Sequence, residues 1–213
     1  MPDREIKNVE KKLAAERAVE FIKEIGRIVR EGLKIKAVST SGTTTDLARS
    51  EGINLISIFE AAKIDLTIDG ADEVEKKSFN GIKGGGGALL FEKIVALSSK
   101  KNLWVIDSGK LVDKLGKFPL PVEIIPFGYQ RVFKLLEERK FNPVIRMNGN
   151  QKYLTDSGNY IFDLNMRKID DAKKLNDEIR LINGVVDTGL FIDIVDSVIV
   201  AKEGSVEILE KWN

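Results

Sequence analysis

The periodicity of apolar residues changes several times along the chain. From Lys7 to about Gly32, Leu13, Ala14, Ala18, Phe21 and Ile22 recur at three- and four-residue spacing, which predicts a helix. "IKAVST" (35–40) reads as a buried strand, and "SGTTTDLARSEG" follows as a turn with a short helix from Thr44 to Arg49. "NLISI" and "IDLTIDG" read as two more strands, the second ending on a glycine. "GALLFEKIVALSSK" (87–100) is a helix pattern, and "NLWVIDS" (102–108) is a strand. Strands alternating with helices predict an α/β fold: an open, mostly parallel Rossmann-like sheet with helices on both faces.

The texture changes at "GKFPLPVEIIP", where Pro119, Pro121 and Pro126 mark a boundary. Beyond it come strand "VEIIP", helix "YQRVFKLLEER", strands "NPVIRM" and "YIFDLNM", helix "DAKKLNDEIRLI" and strand "VVDTGLF". This is the β-α-β-β-α-β order of a smaller ferredoxin-like α+β domain, with Ser157–Asn159 as a hairpin tip. "DSVIVAKEGSVEIL" then reads as a terminal hairpin returning to the first domain. The expected division is a catalytic α/β domain at 1–121 and 196–213, and a ferredoxin-like domain at 122–195.

Composition narrows the function classes. The net charge of +1 offers no basic face for nucleic acid. No apolar run approaches the ~20 residues of a membrane span, and the charged start "MPDREIKNVEKK" has no signal-peptide core. The chain has no Cys and no His. Thiolate chemistry is therefore excluded, a cytoplasmic location fits, and a zinc site would need carboxylates alone. Any proton transfer falls to carboxylates and lysines.

"TIDGADEVEKKSFNGIKGGGGALLFEKIV" (67–95) concentrates those groups. Asp69 and Asp72 follow a strand end, where ligands bind in open α/β sheets. An acidic turn capping its own backbone is the plain alternative. Lys83 precedes Gly84–Gly87, and this loop leads into the helix carrying Glu92 in about its second turn. Glycines permit close backbone approach, and amides at a helix start favour anions, so the loop suits a phosphate or an oxyanion. A merely flexible loop is the alternative there, and an acid placed for the helix dipole is the alternative for Glu92. The run is neither a Walker A loop nor a dinucleotide fingerprint.

"DGADEV", "KGGGGALLFEKIVA", "VIDSGKLVDKLGKFPLPVEIIP" and "NGVVDTGLF", taken in order, resemble the A-type ribose-5-phosphate isomerases from roughly Ile35 to the C-terminus. The resemblance implies interconversion of ribose 5-phosphate and ribulose 5-phosphate through a cis-enediolate, with no cofactor or metal. This is a step of the non-oxidative pentose phosphate pathway. It implies Glu92 as the base moving a proton between C2 and C1, and Asp69 for ring opening and transfer between the oxygens. Gly70, Ala71, Asp72 and Lys110 would contact the sugar. Lys83 and Gly84, Gly85 and Gly86 would stabilise the oxyanion, and Lys11 would reach the phosphate. Phe91 stands where the family commonly has Arg or Lys. A homodimer or homotetramer is the expected assembly.

The chain also departs from that pattern. The family carries a strand and a G-x-G-T-G-S-T phosphate loop where "AAERAVEFIK" here runs directly into "EIGRIVREGLKI", between Lys23 and Glu24. Either a segment belongs there, and the intact mass exceeds 23.8 kDa, or phosphate affinity is severely weakened. "TSGTTT" reads as the family's ordinary second strand-to-helix turn. Two other classes compete. A sugar-phosphate-responsive regulator should carry a DNA-binding segment, and no helix-turn-helix candidate precedes residue 35. An amino-sugar phosphate deaminase of similar architecture would use a His.

Overall fold

The computed structural model describes residues 19–202 and 205–211, which divide into two compact units at Ile64/Asp65. In the first unit, residues 19–30 form one unbroken helix, α1. Lys23 and Glu24 thus lie inside a regular helix, and the expected helix before Val19 lies outside the described residues. Helix α2 (Gly42–Ser50) is capped by Ser41, whose side chain accepts from the Thr44 N–H. "TSGTTT" is therefore an N-cap turn, as expected.

The two strands expected on either side of α2 do not form as strands. They meet only in a parallel bridge between Ala37 and Leu55. Two bonds hold it, Ala37 N–H to Asn54 O and Ile56 N–H to Ala37 O, each 2.9 Å. Residues 35–40 are half-buried or exposed rather than buried. Apolar alternation supplies a face but not a hydrogen-bonding neighbour, and a strand needs both.

The second unit has the mixed α/β character expected from the pattern, distributed over several sheets. Strands β1 (Thr67–Asp69), β2 (Glu73–Glu75) and β3 (Gly81–Ile82) precede helix α3 (Leu89–Leu97). Strands β4 (Asn102–Asp107), β5 (Leu111–Val112) and β6 (Leu120–Ile124) lead to α4 (Tyr129–Glu138). Then come β7 (Pro143–Ile145), β8 (Met147–Asn148), β9 (Gln151–Lys152), β10 (Tyr160–Leu164) and α5 (Ala172–Arg180). The chain finishes with β11 (Val185–Thr188), β12 (Leu190–Phe191), β13 (Ser197–Lys202) and β14 (Ser205–Glu210).

One sheet has the order β1-β4-β13-β14, with β1, β4 and β13 parallel and β14 returning as a hairpin. Trp104 sits at its centre, paired in register with Asp69 and Val198, 1% exposed and edge-on to Phe191 at 6.1 Å. Val74, Phe191, Val198 and Val200 complete this core. Each such side chain is worth about 1.5–3 kcal/mol when fully buried. A second sheet, β12-β3-β2-β5, is mostly antiparallel and carries the site's connecting loops.

The third sheet, β11-β6-β10-β7, is antiparallel and backed by a core of Val122, Ile124, Leu136, Phe162 and Ile179. "VVDTGLF" is read as one strand in sequence but divides at Gly189 into β11 and β12, which join different sheets. A Cβ at Gly189 would lie 2.2 Å from the Lys83 carbonyl, so the crossing point admits only glycine. The Ser157–Asn159 turn is closed by Thr155 and Asn159, while the tight hairpin joins β8 to β9 through Gly149 and Asn150.

Candidate active site

The site begins where β1 stops. Asp69 turns the chain by accepting the Gly70 N–H at 2.7 Å. The short antiparallel pair β2–β3 then folds the chain back, with Glu73 opposite Ile82. This register sets the Asp72 N–H on Ile82 O at 2.8 Å and delivers Lys83 beneath the end of β1. Gly81 makes the approach possible, because a Cβ there would lie 2.3 Å from the Trp104 ring.

Lys83 is 4% exposed and sits at the centre of the cluster. Its Nζ lies 2.9 Å from Asp69 Oδ2 and 3.2 Å from Glu92 Oε2, and donates to Gly70 O at 2.5 Å. The Phe191 ring lies 5.6 Å below the ammonium. Asp72 accepts the Gly85 N–H at 2.7 Å. The glycine run is a turn rather than the first turn of α3: the Gly87 N–H bonds Gly84 O at 3.0 Å, with Gly84 at φ 103°. The helix starts at Leu89, which puts Glu92 in its first turn instead of the second. Its N-cap is Ala88, with no side-chain cap, so the leading amides keep their capacity for an anion.

Burial raises the Glu92 carboxyl above its ordinary value, the Lys83 charge opposes this, and Asp69 adds to it. Burial alone would push Lys83 down, but Asp69 and Glu92 together hold it above the usual lysine value. The cluster therefore keeps a firm ammonium beside a carboxylate poised to take a proton.

The family model "Ribose 5-phosphate isomerase A (phosphoriboisomerase A)" matches residues 36–205. The chain belongs to this family. Family members interconvert ribose 5-phosphate and ribulose 5-phosphate. Ribose-5-phosphate isomerase A of Limosilactobacillus reuteri is 51% identical over 192 residues, covering 89% of this chain and 84% of the relative. The Streptococcus agalactiae protein of the same name is 49% identical, covering 90% and 86%. The solved structure from Methanocaldococcus jannaschii is 42% identical with TM-score 0.84, covering 91% of this chain and 87% of that one. A D-ribose-5-phosphate isomerase in complex with phospho-erythronic acid is 35% identical with TM-score 0.86, covering 91% and 86%.

Within this isomerase fold, the structure brings together Asp69, Gly70, Asp72, Lys83, Gly85 and Glu92 by direct contacts, and Gly84 joins Lys83 to Gly85 along the chain. Ala71 is buried between the two acids, and Gly86 is exposed on the loop. Lys110 stands apart from that cluster of contacts. It ends a 3-10 turn after β4 and faces Asp107 at 4.0 Å. Lys11 lies outside the described residues. Sequence reasoning missed Arg146 and Tyr153, which bond the glycine-loop carbonyls from more than 60 positions away. It also missed the Lys93–Asp187 ion pair that ties α3 to β11 beside Glu92. Nothing local marks any of these. Among the described residues there is no group of three or more acidic side chains suited to a metal, and no helix long and apolar enough to cross a membrane.

Proposed function

We propose that Glu92 is the base, Lys83 the electrophile and Asp69 the oxygen-to-oxygen proton carrier of an aldose–ketose isomerisation. One observation carries the assignment: the buried Lys83 ammonium stands 2.9 Å from Asp69 and 3.2 Å from Glu92. In the open-chain aldose, Glu92 takes the C2 proton. The electron pair moves into a C1–C2 double bond, and negative charge develops on O1. Lys83 and the Gly84–Gly86 loop, through its Gly86 N–H, unpartnered among the described residues, stabilise that charge. Asp69 assists ring opening and passes a proton between O2 and O1. Glu92 then returns its proton to C1, giving the ketose.

Asp72, Gly70, Ala71 and Lys110 hold the sugar hydroxyls in this reading, and Lys11 holds the phosphate. The phosphate is a non-reacting handle whose binding energy is used at the reacting carbons. The sheet order β11-β6-β10-β7 supports reading 122–195 as the ferredoxin-like domain; the same reading assigns 1–121 and 196–213 to the catalytic domain. A cytoplasmic setting and assembly as a homodimer or homotetramer belong to the same reading, and native mass spectrometry decides the assembly.

The test is conversion of ribose 5-phosphate to ribulose 5-phosphate by the full chain in EDTA, beside Glu92→Gln. The parent converts substrate, phospho-erythronic acid inhibits competitively, and the variant loses ~10² or more in kcat. A folded parent without conversion overturns the assignment and favours a sugar-phosphate-binding regulatory protein.

A further inference from the structure

Three consecutive carbonyls of the glycine loop are held by side chains that come from far along the chain. Arg146 Nη1 donates to Gly84 O at 2.8 Å and to Gly85 O at 3.2 Å. Tyr153 Oη donates to Gly86 O at 3.2 Å. The guanidinium is itself fixed by a fork onto Asp163 of β10, with Nε to Oδ2 at 3.0 Å and Nη2 to Oδ1 at 2.5 Å. Its backbone is pinned on both sides, by Arg146 N–H to Ile161 O at 2.8 Å and Tyr153 N–H to Arg146 O at 2.9 Å. The ring of Tyr153 packs 5.8 Å from the guanidinium carbon.

A trans peptide points its C=O and its following N–H in opposite directions. Holding the carbonyls of residues 84 and 85 therefore turns the N–H groups of 85 and 86 away from Arg146. The Gly85 N–H meets Asp72 there, while the Gly87 N–H turns back to the Gly84 carbonyl and closes the turn. Gly86 N–H has no partner among the described residues, and a Cβ at Gly86 would meet nothing within 4 Å. An unpartnered backbone amide facing open space is a donor available to an anion. Four glycines alone would not keep that shape, since glycine loses more backbone freedom on ordering than any other residue.

We infer that Arg146, fixed by Asp163, is the positioning residue of the oxyanion loop, so that the segment after β6 orders the amides that meet the developing charge. The inference rests on the isomerase reading for its catalytic consequence, but the geometry it asserts concerns the loop itself. Arg146 touches no reacting atom. It acts by presenting the Gly86 N–H, and lysine cannot replace it because a single ammonium cannot span Asp163 and two carbonyls.

Two measurements on the full chain test this, using Arg146→Lys and Arg146→Ala. The first is steady-state isomerisation with and without millimolar guanidinium ion. Arg146→Lys should lose roughly 10- to 100-fold in kcat, as expected of slight misplacement of a catalytic group, with little change in KM. Guanidinium should raise kcat of Arg146→Ala and leave the parent unaffected. The second is amide hydrogen exchange, where the hydrogen-bonded amides of residues 85 and 87 should exchange at least ~10-fold faster in Arg146→Lys while the β4–β13 amides keep their protection. Unchanged kcat and loop exchange overturn the inference, as does a loss confined to KM or to melting temperature. A folded parent without isomerase activity overturns the isomerase reading, and loop exchange still decides whether Arg146 holds the loop.

Discussion

Lys83 Nζ lies 3.2 Å from Glu92 Oε2, a buried oxygen with no hydrogen-bond partner of good geometry among the described residues. The contact is electrostatic, and it restrains a carboxyl that burial pushes toward the neutral form. The acid limb of kcat/KM should then fall above the ordinary glutamate value of 4.5, because Glu92 must be ionised to accept a proton. Lys83→Met removes the restraint. Its plateau rate should drop ~10²–10³-fold and its acid limb should move to higher pH, since burial and the neighbouring Asp69 and Asp72 then raise Glu92 unopposed. A pH–rate profile of both proteins checks this, and an acid limb at or below the parent's in the variant would count against it.

Asp72 and Gly85 make a second close fit. The Gly85 N–H reaches Asp72 at 2.7 Å, and a Cβ at Gly85 would sit 2.7 Å from the other Asp72 oxygen. Gly85→Ala must therefore displace the carboxylate or the loop. Loss of kcat/KM of ~10-fold or more is expected with a small change in stability, because the residue is exposed. Full activity in this variant would show that the Asp72–Gly85 contact is dispensable.

Glu73 has no place in the proton transfer, yet it is 3% exposed and accepts the N–H groups of Gly116 and Phe118 at 2.8 and 2.6 Å. Burial is the strongest influence and raises its carboxyl above 4.5, against those donors. A carboxyl raised on folding stabilises fully below the unfolded value, and that contribution is lost as pH rises through the folded value. Glu73→Gln removes this loss and keeps one acceptor oxygen. The melting-temperature difference, variant minus parent, should thus increase from pH ~4 to ~7. Calorimetry at several pH values measures it, and a flat or falling difference would contradict the burial argument.

Lys93, next to the proposed base, is buried and donates to Asp187 at 2.9 Å and Thr188 O at 2.5 Å. Removing one member of a buried pair costs about 3–5 kcal/mol, because it strands the other charge. Arg180, 3.6 Å from Asp187, and the Thr188 N–H, at 2.8 Å, remain as partial compensation. Lys93→Ala should therefore lose about 3 kcal/mol in denaturant unfolding, at the lower end of that range. Lys93→Met with Asp187→Leu should recover part of the loss by keeping the packing on Phe191, 5.0 Å away.

The residues that the structure clusters were legible in 67–95, because Asp69, Asp72, Lys83, the glycines and Glu92 lie within one short stretch whose turns are locally encoded. The order of helices and strands after β6 was legible for the same reason, as each element carries its own period. The strands expected around α2 did not form, since apolar alternation does not show whether a hydrogen-bonding neighbour exists.

Residue types and local periods by themselves determined the mixed α/β class, the absence of His and Cys chemistry, and the identity of the acids and lysine available to move protons beside a glycine loop. Tertiary structure alone decided that Lys83 stands between Asp69 and Glu92, that Gly189 must pass the Lys83 carbonyl, and that Arg146 holds loop carbonyls 62 and 61 positions away. These depend on sheet register and on side chains converging from separate elements. No periodicity in the sequence encodes a contact across that many residues, whereas a register shift of one residue would abolish it.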